Sequence, residues 1–90
     1  EEKMHELSLI ADLMNKIDAI AHEQNSQKVI SVAVKLGALS HISADHFREH
    51  FIHASRGTVA EDARLDIEAL TDTNDPHAQE ILLDSVEVEA

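Results

Sequence analysis

Seven histidines and no cysteine in ninety residues define the chemistry open to this chain. Imidazole is the commonest side-chain ligand of transition metals, and it titrates near neutral pH. Without thiols there is no thiol catalysis, no disulfide and no cysteine-based zinc site. Two histidine placements point to metal. His5 stands near the start of the chain, between Met4 and Glu6. His46, His50 and His53 follow at i, i+4 and i+7, which on a helix confines them to an arc of roughly 60°. They form a second candidate metal site, bidentate or tridentate, or else a solvated helix flank beside Phe47 and Phe51. His41 lies just before them and could join. His22 and His77 read as surface residues, His22 near a helix C-terminus where positive charge is favoured.

Other chemistries find little footing. No serine sits in a nucleophile elbow. Gly37 and Gly57 are the only glycines, so there is no phosphate-cradling loop. Carboxylates are plentiful because the chain is acidic, with 18 acidic and 7 basic residues and a formal net charge of −11. Nucleic acid is excluded as a partner on this count, since binding it needs a basic face that displaces counterions. The acidity serves solubility, or attracts cations or a basic partner surface. No apolar run approaches the ~18 residues of a membrane span, and no basic stretch leads into an apolar one as in a secretory signal. A cytoplasmic protein, and not an enzyme, is the expectation.

The elements that must position these residues follow from periodicity. Leu7, Ile10, Ala11, Met14, Ile17 and Ala21 recur at three- and four-residue steps, with Leu13 and Ile20 widening the stripe, and predict an amphipathic helix from about Leu7 to His22. Glu23 to Ser26 read as a polar turn. From Lys28 to Gly37 the period becomes two, with Ile30, Val32, Val34 and Leu36 on one face and Val29, Ser31, Ala33 and Lys35 on the other, a strand rich in β-branched residues. Gly37 is expected to end it at a turn.

Ser43 is a plausible N-cap for a helix reaching about Ser55, with Phe47, Phe51 and Ala54 as its stripe and Gly57 as its stop. Ala63, Leu65 and Ile67 then alternate with Arg64, Asp66 and Glu68 as a second strand. Thr71 to Ala78 is a polar loop. Glu80 to Glu89 forms a third strand, in which Leu82, Val86 and Val88 share a face and Asp84 forces a bulge or frayed pairing. The fold class is therefore α+β, a two-layer sandwich of two helices on a three-stranded sheet in the order α-β-α-β-β. Residues 1–90 make a single domain, and the short loop 71–78 is expected to join two adjacent antiparallel strands. With Phe47 and Phe51 as the only aromatics, the core is otherwise aliphatic and its stability margin thin, at the low end of ~5–15 kcal/mol.

One stretch is more specific than any period. Met4-His5-Glu6-Leu7-Ser8-Leu9-Ile10 resembles the opening motif of the HypA/HybF family of hydrogenase nickel-insertion proteins. The similarity continues through Val29, Val32, Gly37, Leu39 and Ser40, the apolar pair Phe47 and Phe51, Gly57-Thr58 with Ala63, Leu65, Ile67 and Glu68, and the closing Ser85-Val86-Glu87-Val88-Glu89. It implies a two-helix, three-strand nickel domain with a zinc ribbon inserted between the last two strands.

The resemblance further implies a nickel metallochaperone whose central ligand is His5, with Met4 contributing through its backbone and Glu6 through its backbone nitrogen or carboxylate. Ni(II) accepts tetragonal geometry and nitrogen donors. The implied partners are the metal ion, a nickel-handling GTPase and the hydrogenase large subunit. Two departures modify the pattern. Glu1-Glu2-Lys3 precede Met4, so Met4 offers a peptide nitrogen where the family offers a free amine. The zinc ribbon is absent, with loop 71–78 in its place, so no structural zinc is expected. A ribbon-less relative could alternatively serve as a structural or adaptor subunit of a larger complex without delivering nickel.

Overall fold

A helix, α1, spans Glu2–Glu23 and begins earlier than the apolar stripe required. The sequence of residues 2–6 contains no glycine or proline to break a helix. The computed structural model describes the backbone of residues 2–89 and the side chains of residues 8–89. Ile10, Leu13, Ile17 and Ala21 are buried, with Leu9 and Met14 packed partly against them. Ala11, expected in the stripe, is exposed; a side chain of one methyl contributes too little burial to rotate the helix. The polar turn is a Schellman closure. Ser26 N–H donates to Ala21 C=O at 2.9 Å and Asn25 N–H to His22 C=O at 3.0 Å, with Asn25 at φ 55° in the left-handed position such a cap uses.

β1 (Val29–Leu36) is the central strand of a three-stranded sheet in the order β2-β1-β3. α2 (Ala44–Ser55) follows, capped by Ser43, whose hydroxyl accepts from His46 N–H at 3.1 Å. Phe47 and Phe51 are buried as expected, but Ser55 takes the place assigned to Ala54, which is exposed. The Ser55 hydroxyl satisfies itself on Ile52 C=O at 3.2 Å, so burying it costs little. After α2 the chain makes a tight turn, with Thr58 N–H bonded to Ser55 C=O at 3.0 Å. Arg56 at φ −60°, ψ 130° and Gly57 at φ 76° give it type II geometry, which favours glycine at that third position.

β2 (Arg64–Ala69) runs parallel to β1, as a strand reached through a helical crossover can, and β3 (Ile81–Val88) runs antiparallel on the other side. The last two strands are thus not neighbours, and the direct hairpin expected of loop 71–78 does not form. β1 is the most apolar strand and takes the centre. The outer strands carry Arg64, Asp66 and Glu68, and Asp84 and Glu87, residues suited to open sheet edges. Both helices cover one face, α1 nearer β3 and α2 nearer β2.

The β1–β3 pairing holds two irregularities. Between Ser85 and Leu83, partners of Ala33 and Val34, the extra residue is Asp84, the bulge expected there. Its carboxylate lies 3.9 Å from Lys35 Nζ. Beyond this bulge Leu83, not Leu82, faces the core opposite Val34. The second irregularity lies between Val29 and Ser31, and it overturns a face. Ile30 bulges out at 42% exposure while Val29 is fully buried, the reverse of simple alternation.

The segment from Leu70 to Glu80 crosses the end of β1. Leu70 N–H donates to Leu36 C=O at 2.8 Å, Gly37 N–H to Glu80 C=O at 2.9 Å and Leu39 N–H to Ala78 C=O at 2.7 Å. The chain does turn at Gly37, where Ser40 N–H donates to Gly37 C=O at 3.0 Å, but it is the crossing that demands glycine. A β-carbon there would stand 2.2 Å from Ala78 O.

Candidate metal centre

Met4, His5 and Glu6 lie on the first turns of α1, by the backbone. Their side chains fall outside the described residues. The helix that carries them is anchored farther along by Ile10, Leu13 and Ile17, buried at 3%, 3% and 0% exposure.

The α2 histidines are positioned as the spacing requires, on the flank beside Phe47 and Phe51. The rings of His46 and His50 stand 5.6 Å apart between centroids, inclined at 58°. His53, one turn farther, is exposed in the last turn of the helix. Among the described residues no group of three or more histidine and carboxylate side chains is placed to hold a metal ion. His41 is exposed, at φ 61° in the turn before α2, and His22 is exposed in the last turn of α1.

His77 is also exposed, yet it is tied more firmly than a surface position suggests. Its Nδ1 lies 2.8 Å from Glu80 Oε2, and its backbone N–H donates to Asp75 Oδ1 at 2.8 Å. The hydrogen bond to the Glu80 carboxylate, reinforced by that carboxylate's charge, raises the imidazole pKa above its ordinary 6.5. The three-residue spacing of His77 and Glu80 was the available signal, obscured because a loop has no fixed period. With two nearby carboxylates on a solvent-facing turn, this arrangement favours the protonated ring.

Comparison with known proteins adds what the geometry cannot. A family model described as hydrogenase/urease nickel incorporation, metallochaperone, HypA matches residues 4–74. A hydrogenase maturation factor HypA from Methylocella silvestris is 38% identical over 65 residues, which is 72% of this chain and 58% of that protein. The corresponding protein of Rhodopseudomonas palustris strain BisA53 is 41% identical over 64 residues, 71% of this chain and 57% of that one. The chain thus spans less than three-fifths of the length of these relatives. In three dimensions it resembles the solution structure of the Ni metallochaperone HypA from Helicobacter pylori, with a TM-score of 0.77 at 20% identity, covering 94% of this chain and 97% of that one. At that identity the likeness speaks for the fold. Among the described residues no helix is long and apolar enough to cross a membrane.

Proposed function

The chain belongs to the HypA family of nickel-incorporation metallochaperones, and from that membership we propose that it carries Ni(II) at the start of α1 and yields it to a maturing hydrogenase. The observation that supports this most is where the family match begins. It starts at Met4 and runs to residue 74, so it takes in the Met4-His5-Glu6 motif together with both helices and the first two strands.

In this reading nickel is cargo. The His5 imidazole supplies the first neutral nitrogen donor, and backbone nitrogens of the Met4–Glu6 segment supply further ones, with the Glu6 carboxylate available to balance charge. Successive amide nitrogens can enclose a metal in one plane only if the chain turns around it. In an α-helix they instead all point along the axis. Loading therefore unwinds the first turn of α1, while among the described side chains the core contacts of the helix are at Leu9, Ile10 and beyond. Amide nitrogens bind only after losing their protons, so loading releases acid and weakens as pH falls. Release to a partner follows the same path backwards. A nickel-handling GTPase and the hydrogenase large subunit are the proposed protein partners, the cytoplasm the proposed compartment, and no catalytic step is assigned to the chain.

Calorimetric titration of the full chain with Ni(II) tests the reading. The His5→Ala variant is expected to lose affinity by roughly tenfold or more, each factor of ten being 1.4 kcal/mol, with an unchanged circular dichroism melt. Equal affinity in that variant would remove His5 from the site and the reading with it.

A further inference from the structure

His46 and His50 are the one pair of histidines four residues apart in the sequence, and α2 turns that spacing into geometry. Ser43 caps the first turn by accepting from His46 N–H at 3.1 Å. Phe47 and Phe51, buried at 0% and 2% exposure, fix the rotation of the helix against the core. The two imidazoles come out on one flank, their ring centroids 5.6 Å apart and their planes inclined at 58°. His46 is exposed and His50 half-buried.

A metal bound ~2.0–2.1 Å from one nitrogen of each ring sets the ring centres roughly 4.5–5.5 Å apart. Small side-chain rotations bring the observed pair into that range, with no movement of the backbone. Because the helix already holds both ligands at their spacing, chelation has little order left to impose, and such preorganisation raises affinity. The surroundings suit a cation. Asp45 and Glu49, each one residue ahead of a histidine, are exposed and add negative charge beside the pair. Arg48, the only lysine or arginine of α2, is drawn to the opposite flank, where its Nη1 donates to Leu65 C=O at 3.1 Å.

We propose that His46 and His50 form a bidentate surface site for a divalent transition-metal ion, with water in the remaining positions. Imidazole donors select Cu(II), then Ni(II) and Zn(II), over Mg(II) and Ca(II), which take oxygen ligands. Among the described residues no third side chain is grouped with the pair. His53, one turn beyond His50, therefore stays outside the site and serves as an internal control. Two protein ligands make a site that binds more weakly than the cargo site and exchanges its ion readily, as suits capture from solution rather than storage. It uses none of the Met4–Glu6 segment.

The test adds Zn(II), which is diamagnetic, to the full chain and to its His5→Ala variant, and follows the histidine rings by NMR. In both proteins the His46 and His50 rings should shift together and saturably, and more than those of His22, His41, His53 and His77. His46→Ala and His50→Ala should each lower the Zn(II) affinity by roughly tenfold or more, each factor of ten being 1.4 kcal/mol. A spacing variant, Asp45→His with His46→Ala, keeps seven histidines but sets the pair five residues apart, roughly 140° around the helix. It should lose the same affinity while its metal-free circular dichroism shows the fold intact; if that variant unfolds, His50→Gln replaces it. The proposal is overturned by shifts spread evenly over all the rings, by affinity that survives the substitutions, by Mg(II) competing as well as Zn(II), or by loss of the His46 and His50 shifts in His5→Ala. Ni(II) calorimetry of His5→Ala decides the cargo reading separately, so either result can fail without the other.

Discussion

Gly37 and Ala78 are in such close approach that no side chain fits between them: a β-carbon on Gly37 would meet Ala78 O at 2.2 Å and its carbonyl carbon at 2.5 Å. Both partners of the contact are backbone, so neither can swing aside as a flexible side chain would. The three backbone hydrogen bonds from Leu39, Gly37 and Leu70 hold the two segments there.

Gly37→Ala should therefore destabilise the fold, by about 1–3 kcal/mol as overpacking usually does. Urea unfolding followed by circular dichroism reads the shift in midpoint. A neutral result would mean that the 77–80 segment moves off β1 freely, and the account of the crossing would fall.

At Ser43 the hydroxyl accepts the His46 N–H at 3.1 Å and closes the first turn of α2. Ser43→Ala should cost about 1 kcal/mol, while Ser43→Asp should cost almost nothing, because aspartate caps equally well. Comparing the two melts separates loss of a cap from loss of a surface hydroxyl.

The His77–Glu80 contact gives a pH dependence whose sign is fixed by the raised pKa of the histidine. The folded state binds this proton more tightly than the unfolded chain does. Its contribution is complete below the ordinary value of 6.5 and is lost as pH rises through the higher folded value. Both partners are more than half exposed, so the effect on melting is small. The clean readout is NMR titration of the His77 ring, which should midpoint above 6.5 and return toward it in Glu80→Gln.

His46 and His50 offer two imidazoles one helical turn apart, with no third ligand grouped with them among the described residues. A double His46→Ala, His50→Ala variant should keep the tight Ni(II) event at its full stoichiometry and lose only a weak second one. Loss of the tight event would transfer the cargo site from α1 to α2.

Much of this architecture was legible from periodicity alone, because a helix or strand must bury one face and its apolar spacing records which. Ser43, Asn25 and Gly57 stand where local backbone chemistry demands them. What escaped was non-local. Strand order depends on which edges attract, and nothing near Leu70 announces that the chain will cross β1 instead of turning back beside β2. Val29 and Ile30 exchanged faces because a bulge adds one residue to an alternation that otherwise has no slack. Ala11 and Ala54 were misplaced because alanine is indifferent to either environment. At the candidate site the motif beginning at Met4 was readable as a family signature, whereas the pairing of His77 with Glu80 was not, since a loop has no fixed period to connect them.

The crossing over β1 also determines where this domain can grow. β2 ends and β3 begins on the two strands flanking β1, roughly 10 Å apart at the usual strand spacing. Any folded unit whose own termini lie that close could be spliced in without disturbing the sheet. The entropic penalty of a longer excursion is logarithmic, about 0.6 kcal/mol for each doubling of length. The admissible splice point is narrower than the segment itself. Residues 77–80 are fastened to Gly37 and Leu39, so extra chain belongs before Asp75, among Thr71 to Asn74. Sheet and insert would then be thermodynamically separate modules, each free to be gained, lost or exchanged while the other stays folded.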